Sequence, residues 1–316
     1  MMTSLISSRM KQETTAIQPY QIRQAIVALE LGPTDRKILE YLDFLTHHIP
    51  TGALSFLHVL PRFDHFSTIL EHEAASFISN YELDHEAIVS MRREIRASIK
   101  KGGAVHLDFT VKEGDPLEEL LFNVADIGAE LAVIGQRSGV SRHGILARNL
   151  ARKTTCDALV IPDQAKAEIR HILVPVDFSP HSVRALRKAL SIKAELANGA
   201  AITCLNVYNA PNLSVYKLNK TREQFLEMLE EAQLEAFQAF VQTYAPEEYR
   251  ETIAMELVCR EKPTIAEHIL GFAREREASL IVMGAKGHSK VDLLLMGSIT
   301  EKVLSLNEQI PTLIVK

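Results

Sequence analysis

The sequence predicts an α/β protein of two tandem, doubly wound domains, each with a five-stranded, mainly parallel sheet flanked by helices. The length of 316 residues suits two domains of about 150 residues each. Short apolar segments alternate with longer amphipathic ones, as in parallel sheets that are covered by helices on both faces. The same order of segments occurs twice along the chain, which indicates an internal repeat.

The first strand of each copy ends in an acidic residue, and a turn with proline follows it. Residues 25–33 carry this pattern with Glu30, and residues 172–180 carry it with Asp177. A helical pattern begins after each turn, at about Ser182 in the second copy. The other matched segments are 54–59 with 202–207, 130–135 with 279–284, and 158–161 with 312–315.

These matches define the expected domain boundaries. We expect an N-terminal extension over residues 1–22 and a first domain over 23–162. A polar, alanine-rich stretch follows the last strand of the first copy, so we place the linker at 163–169 and the second domain at 170–316.

The composition excludes several classes of protein. A net charge of -5 and a pI near 6.2 offer no basic face for nucleic acid. No apolar run approaches the roughly 20 residues that cross a bilayer, and residues 1–20 lack the apolar core of a signal peptide. We therefore expect a cytoplasmic protein without membrane partners, in which Cys156, Cys204 and Cys259 are core thiols.

The second copy contains a glycine-rich segment that is suited to binding an anion. Gly284 and Gly287 directly follow an apolar strand, and nine residues later Gly297 and Ser298 precede a helical pattern. Glycines allow the backbone to approach a phosphate closely, and the amides at a helix N-terminus favour negative charge. The Ser298 hydroxyl adds a further hydrogen-bond donor.

Asp177 and Val207 end two neighbouring strands, so both are expected at the same edge of the sheet. A carboxylate there can accept hydrogen bonds from a ribose or an adenine amino group, and the backbone of Val207 can contact a base. Neither the Walker pattern nor the dinucleotide-binding G-x-G-x-x-G occurs in the chain. The combined pattern favours a nucleotide site of another type over an ordinary turn.

With these residues the chain resembles the universal stress protein family in its tandem, two-domain form. The family pattern is glycine, two residues, glycine, nine residues, glycine, and then serine or threonine, and residues 284–298 match it without a gap. The resemblance extends from about residue 24 to residue 316 and implies domains of the adenine nucleotide alpha hydrolase type. Such domains pair through their last strands; one branch of the family binds ATP and another does not.

By this resemblance the second domain binds ATP or another adenine nucleotide, with or without Mg²⁺. Asp177 and Val207 would contact the adenosine. The residues that would hold the phosphates and ribose are Gly284, Gly287, Gly297 and Ser298. The residues that would line the pocket or lie near the phosphates are Pro175, Val176, Met283, Ile299 and Lys286.

The first copy departs from the family pattern. Ser138 takes the place of Gly287, and Glu30 takes the place of Asp177. Counting along the chain puts Arg148 and Asn149 where Gly297 and Ser298 stand. We expect the first domain to hold no ATP and to serve as a structural partner or as the seat of a different ligand.

The functional expectation is a stress-response protein that acts as a nucleotide-dependent sensor or regulator rather than as an efficient enzyme. Lys286, His288 and Asp292 lie near the expected site but form no evident pair of nucleophile and base. A slow ATPase or self-phosphorylating enzyme is the alternative, and a nucleotide-free dimerising scaffold is the second alternative. The twelve histidines lack zinc-site spacing, so no metal centre is expected, although His58 and His143 lie near the first-domain cleft. Pairing of the two domains through their last strands is expected, and a homodimer is left open.

Overall fold

The computed structural model describes residues 16–60, 80–100, 105–138, 143–197, 199–209, 222–260, 264–287 and 296–316. The chain divides into two compact units. The first unit, here called the first domain, comprises Gln21–Glu168 with Asn307–Ile314 and Lys316. The second unit, the second domain, comprises Ile169–Leu306 with Val315 and the described residues up to Tyr20.

The first domain is a parallel sheet with one antiparallel strand. Its strands are β1 (Ile22–Leu29), β2 (Thr51–Leu60), β3 (His106–Glu113), β4 (Leu131–Gln136), β5 (Asp157–Pro162) and β10 (Thr312–Val315). Its helices are α1 (Asp35–His48), α2 (Asn80–Ser98), α3 (Pro116–Asp126) and α4 (His143–Lys153). The strand order is β3-β2-β1-β4-β5-β10, and only β10 runs antiparallel, on β5.

The second domain repeats the order of the first four strands of the first domain. Its strands are β6 (His171–Pro175), β7 (Ala201–Asn209), β8 (Ile253–Arg260) and β9 (Leu280–Gly284), in the order β9-β6-β7-β8 and all parallel. Its helices are α5 (Pro180–Glu195), α6 (Arg222–Tyr244), the short α7 (Glu247–Arg250), α8 (Ile265–Glu275) and α9 (Ser298–Leu306). The predicted fold class is confirmed, with two tandem α/β domains whose sheets are mostly parallel and flanked by helices.

The central strands form because their sequences are apolar at successive positions. All five residues of β9 are buried, and in β6 the three residues Ile172, Leu173 and Val174 are fully buried. Runs without alternation are typical of strands that are covered on both faces. The helices supply the second layer of the core through residues such as Leu186 and Leu190 of α5.

The backbone after the first strand of each domain shows the repeat at atomic detail. Leu31 and Phe178, at equivalent positions, both have a positive φ, 55° and 62°. The amide of Glu30 donates to the Asp35 carboxylate at 3.2 Å, and the amide of Asp177 donates to the Ser182 hydroxyl at 3.0 Å. Each contact fixes the turn that leads from the carboxyl end of the strand into the next helix.

One expectation about the cysteines is wrong. Cys156 and Cys204 are buried as predicted, and burial raises the pKa of Cys204 to about 12. Cys259 is exposed, because it lies near the carboxyl end of β8, the outermost strand of the second domain. Among the described helices, none is long and apolar enough to cross a membrane.

Candidate functional site

Two hydrogen bonds hold the two halves of the glycine-rich loop together in the second domain. The amide of Gly297 donates to the carbonyl of Ala285 at 2.8 Å. The Thr300 hydroxyl, which is buried in the first turn of α9, donates to the carbonyl of Gly284 at 3.0 Å. The end of β9 and the start of α9 are thus joined directly, although the nine residues that separate Gly287 from Gly297 are a long connection.

Gly284 and Gly287 occupy positions that have no room for a side chain. A Cβ atom at Gly284 would lie 2.6 Å from the Cβ and 2.9 Å from the carbonyl oxygen of His181, in the first turn of α5. A Cβ atom at Gly287 would overlap Oδ2 of Asp177. These two close approaches explain why glycine stands at both positions.

Asp177 is held in place by the turn that it begins. Its Oδ1 atom accepts hydrogen bonds from the Ser182 hydroxyl at 2.5 Å and from the Ser179 amide at 3.1 Å. Ser179 and Ser182 are both buried, and Ser179 also caps the N-terminus of α5. The turn therefore fixes the carboxylate with Oδ2 towards Gly287 and the glycine-rich loop.

These elements surround a cavity of about 330 Å³, a volume within the range of small-molecule sites. All eleven residues that the sequence singles out line it: Pro175, Val176, Asp177, Val207, Met283, Gly284, Lys286, Gly287, Gly297, Ser298 and Ile299. Their presence around one cavity follows from the parallel topology, which brings the carboxyl ends of β6, β7 and β9 to one edge. The predicted His288 and Asp292 lie outside the described residues.

Sequence reasoning missed five lining residues, which are Ser182, Leu205, Ile265, Ile269 and Thr300. Ile265 and Ile269 are four residues apart in α8, so they share one face of that helix. The capping box of Thr264 and Glu267 marks the start of α8 in the sequence and could have placed both isoleucines. Thr300 could have been found from its place two residues after Ser298.

The electrostatics of the cavity favour an anion at one end. Helix α9 begins at Ser298, so its first amide groups have no acceptor within the helix, and its dipole is positive there. Lys286 lines the same end of the cavity. Val176, Leu205 and Ile269 give the same cavity apolar walls.

The equivalent loop of the first domain differs from the sequence-based expectation. Arg148 and Asn149 lie in the interior of α4, so the prediction that they replace Gly297 and Ser298 is wrong. Gly144, at the start of α4, is the counterpart of Gly297. The spacing of the buried residues supports this match, since Ala147, Leu150 and Ala151 of α4 correspond to Thr300, Val303 and Leu304 of α9. Counting failed because this loop is shorter, with residues 139–143 against 288–296.

Glu30 and Arg137 form an ion pair in the first domain, with 3.0 Å between Nη2 and Oε2. The guanidinium Nε of Arg137 also donates to the Thr34 hydroxyl at 2.7 Å. Arg137 stands where Lys286 stands in the second domain, and Glu30 stands where Asp177 does. In the first domain the two charged side chains at these positions thus pair with each other.

The described residues contain no group of three or more histidine, cysteine, aspartate or glutamate side chains that could hold a metal ion. The expected His58 lines the first-domain cleft, where its Nδ1 contacts the carbonyl of Leu29 at 2.9 Å. The side chain of His143 lies outside the described part of the chain.

Fold and cavity together define a class of protein, the doubly wound α/β domains with a ligand cleft at the carboxyl edge of the sheet. The universal stress protein family model matches the chain twice, at residues 21–162 and 168–316. The chain therefore belongs to the universal stress protein family, as the resemblance in the glycine-rich loop predicts.

Individual relatives agree with this assignment. The universal stress protein MJ0531 of Methanocaldococcus jannaschii is 30% identical over 147 residues, which are 46% of this chain and 82% of that protein. A universal stress protein of Archaeoglobus fulgidus has the same fold, with a TM-score of 0.61 and 17% identity over 93% of this chain and 96% of its own. A protein of unknown function from Pseudomonas aeruginosa is similar, with a TM-score of 0.59 and 17% identity over 93% and 92% of the two chains.

Proposed function

We propose that the second domain binds ATP or another adenine nucleotide and that the protein acts as a nucleotide-dependent sensor or regulator in the cytoplasm. The observation that carries this proposal is the meeting of two halves of a glycine-rich loop with Asp177 around one cavity of about 330 Å³. The amides at the start of α9 and Lys286 suit the phosphates. Asp177 and the backbone of Val207 suit the ribose and the base.

Binding without efficient turnover is the better interpretation of this site. The carboxylate of Asp177 already accepts two hydrogen bonds at Oδ1, from Ser182 and Ser179, which suits a positioning role better than proton transfer. The Ser298 hydroxyl stands at a helix N-terminus, where a hydrogen bond to a phosphate is its simplest function. Mg²⁺, when present, would screen the phosphate charge.

The first test is the nucleotide content of the purified protein. We expect about one adenine nucleotide per chain after denaturation and chromatography, or one equivalent bound on titration with ATP and Mg²⁺. Binding of none would overturn the proposal, and two per chain would place a nucleotide in the first domain as well.

Gly297→Ala and Gly271→Ala form a matched pair for this test. A Cβ at Gly297 has room, since it would lie 3.5 Å from the amide nitrogen of Gly287, so the variant should fold. That methyl group would nevertheless cover a phosphate-facing amide, and the bound nucleotide should be lost. A Cβ at Gly271, inside α8, would contact nothing within 4 Å, so its variant should keep the nucleotide.

A further inference from the structure

The first domain has a cavity of its own, of about 320 Å³, at the carboxyl ends of β1, β2 and β4. Its lining corresponds position by position to part of the second-domain cavity. The matched residues of the first cavity are Ala28, Leu29, Glu30, Asp35, Leu57, Val59, Pro116, Leu120, Ile134, Gly135 and Leu146. In the same order, their counterparts in the second cavity are Pro175, Val176, Asp177, Ser182, Leu205, Val207, Ile265, Ile269, Met283, Gly284 and Ile299.

The lining positions that the first cavity lacks are those of the phosphate end. The missing positions are Lys286, Gly287, Gly297, Ser298 and Thr300 of the second cavity, whose counterparts Arg137, Ser138, Gly144, Ile145 and Ala147 do not line the first. Among the residues that the structure describes, the first domain therefore keeps the lining that corresponds to the base and sugar end and not the lining that corresponds to the phosphate end.

Two carboxylates of the first domain already bind the groups that could otherwise bind a phosphate. Asp163 accepts hydrogen bonds from the Ser138 amide at 3.2 Å and from the Ser138 hydroxyl at 2.5 Å. Glu30 pairs with Arg137. A phosphate at this end would have to displace both carboxylates and would meet their negative charge.

His58 gives the first cavity a polar group that the second cavity does not have. Its Nδ1 lies 2.9 Å from the Leu29 carbonyl oxygen, which can only accept, so Nδ1 carries the hydrogen. A ring with its one hydrogen at Nδ1 has an acceptor at Nε2, on a side chain that lines the cavity. Asn206 makes the equivalent contact to the Val176 carbonyl at 2.8 Å but does not line the second cavity.

We propose that the first-domain cavity binds a nucleoside without phosphate groups. Asp163 and Glu30 make the cavity prefer this nucleoside to a nucleotide. The choice of a nucleoside rests on the proposed adenine nucleotide in the second domain, whose base-facing lining the first domain shares. His58 accepts a hydrogen bond from the base or the sugar. Asp163 does not line the cavity, whereas Glu30 does; each carboxylate binds a group, Ser138 or Arg137, that could otherwise bind a phosphate.

Adenosine and AMP are the probes for a calorimetric titration of the full chain saturated with ATP. One adenosine should bind per chain, and AMP should bind at least about tenfold more weakly because of the two carboxylates. Asp163→Asn combined with Glu30→Gln should reduce the difference between the affinities for adenosine and for AMP. Equal affinity of the unmodified chain for adenosine and AMP would overturn the selection mechanism.

Two equivalent substitutions locate the site. Leu146→Arg fills the first cavity and should abolish adenosine binding, whereas Ile299→Arg fills the second and should abolish ATP binding alone. His58→Asn imitates Asn206 and keeps the contact to Leu29, so it should fold and weaken adenosine by about tenfold.

The possible failures can be told apart. Absence of adenosine binding to the ATP-saturated chain would overturn the nucleoside proposal and leave the ATP site intact. Absence of ATP binding, with adenosine bound in a manner sensitive to Leu146→Arg, would overturn only the function proposed for the second domain. Adenosine binding that survives Leu146→Arg would place the nucleoside elsewhere and overturn the first-domain site.

Discussion

At the residue scale, the position of Asp177 against Gly287 is the most restrictive feature of the second-domain site. The carboxylate is fixed by Ser179 and Ser182, so it cannot retreat without breaking two hydrogen bonds. Any side chain at residue 287 must therefore displace either the carboxylate or the loop.

Gly287→Ala is predicted to destabilise the second domain and to weaken its nucleotide binding. Overpacking of this kind costs about 1–3 kcal/mol of unfolding free energy. Urea unfolding and titration with ATP measure the two effects. Gly271→Ala is the control, and it should raise stability by up to about 1 kcal/mol because alanine favours the helix. A Gly287→Ala protein with unchanged stability and affinity would contradict the observed contact.

Asp35 makes the stability of the first domain depend on pH. Burial raises the pKa of Asp35 above its ordinary value of 3.8, although the amides of Glu30 and Gly32 donate to it and oppose this rise. The folded state thus binds the proton more tightly than the unfolded state. The associated stability is present below pH 3.8 and is lost as the pH rises through the folded-state pKa.

Asp35→Ser, which copies Ser182 of the second domain, should remove this dependence. The unfolding free energy of the unmodified protein minus that of Asp35→Ser should fall as the pH increases from below 3.8 towards neutrality. Denaturant unfolding at several pH values measures it. For Gly271→Ala, whose added Cβ contacts nothing within 4 Å and so no titratable group, the corresponding difference should stay flat over this range. A difference for Asp35→Ser that is flat or rises would contradict the assignment.

At the element scale, helix α8 carries Ile265 and Ile269 to the cavity, and its start is fixed by a capping box. The Thr264 hydroxyl accepts from the Glu267 amide at 3.4 Å, and the Glu267 carboxylate accepts from the Thr264 amide at 2.8 Å. The hydrogen bonds from Thr264 lower the pKa of Glu267. In the first domain, Asp115 caps the equivalent helix α3.

Loss of either helix cap should lower the unfolding free energy by the same amount, but only one of the two losses should weaken ATP binding. Thr264→Ala and Asp115→Ala should each lower the unfolding free energy by about 1 kcal/mol. Only Thr264→Ala should weaken ATP binding, because α8 lines the second-domain cavity and α3 does not. Unfolding curves and ATP titrations of both variants provide the measurement. Equal losses of ATP affinity in the two variants would contradict the assignment of the site to the second domain.

The elements also show what the sequence alone could predict. Strands such as β6 and β9 are apolar at every buried position, and the glycine pattern lies between one of them and a helix, so the fold and the residues that line the second-domain cavity were predictable. The start of α4 was not, because a loop that is four residues shorter than 288–296 shifts the count from Gly144 to Arg148. The role of Asp163 was also hidden, since only the folded loop brings it to Ser138.

At the scale of the whole molecule, the same fold occurs twice, but the two domains differ at the loop that is proposed to hold phosphates in the second domain. The second domain presents Gly287 and the start of α9 around its cavity. In the first domain, the carboxylates of Asp163 and Glu30 bind the equivalent residues, Ser138 and Arg137. If both proposed sites bind their ligands, this asymmetry allows two ligands of different charge to act on one chain, each in its own domain.

Hydrogen exchange with and without ATP tests this asymmetry across the whole chain. A ligand at a hundred times its Kd stabilises its site by about 2.7 kcal/mol, so exchange there should slow by up to about a hundredfold. The slowing should appear at residues 177–179, 284–287 and 296–300, which surround the second cavity, and should be absent at 135–138 and 144–147. Gly297→Ala should remove the effect. Equal protection of both sets of residues would show that the carboxylates of the first domain do not exclude nucleotides.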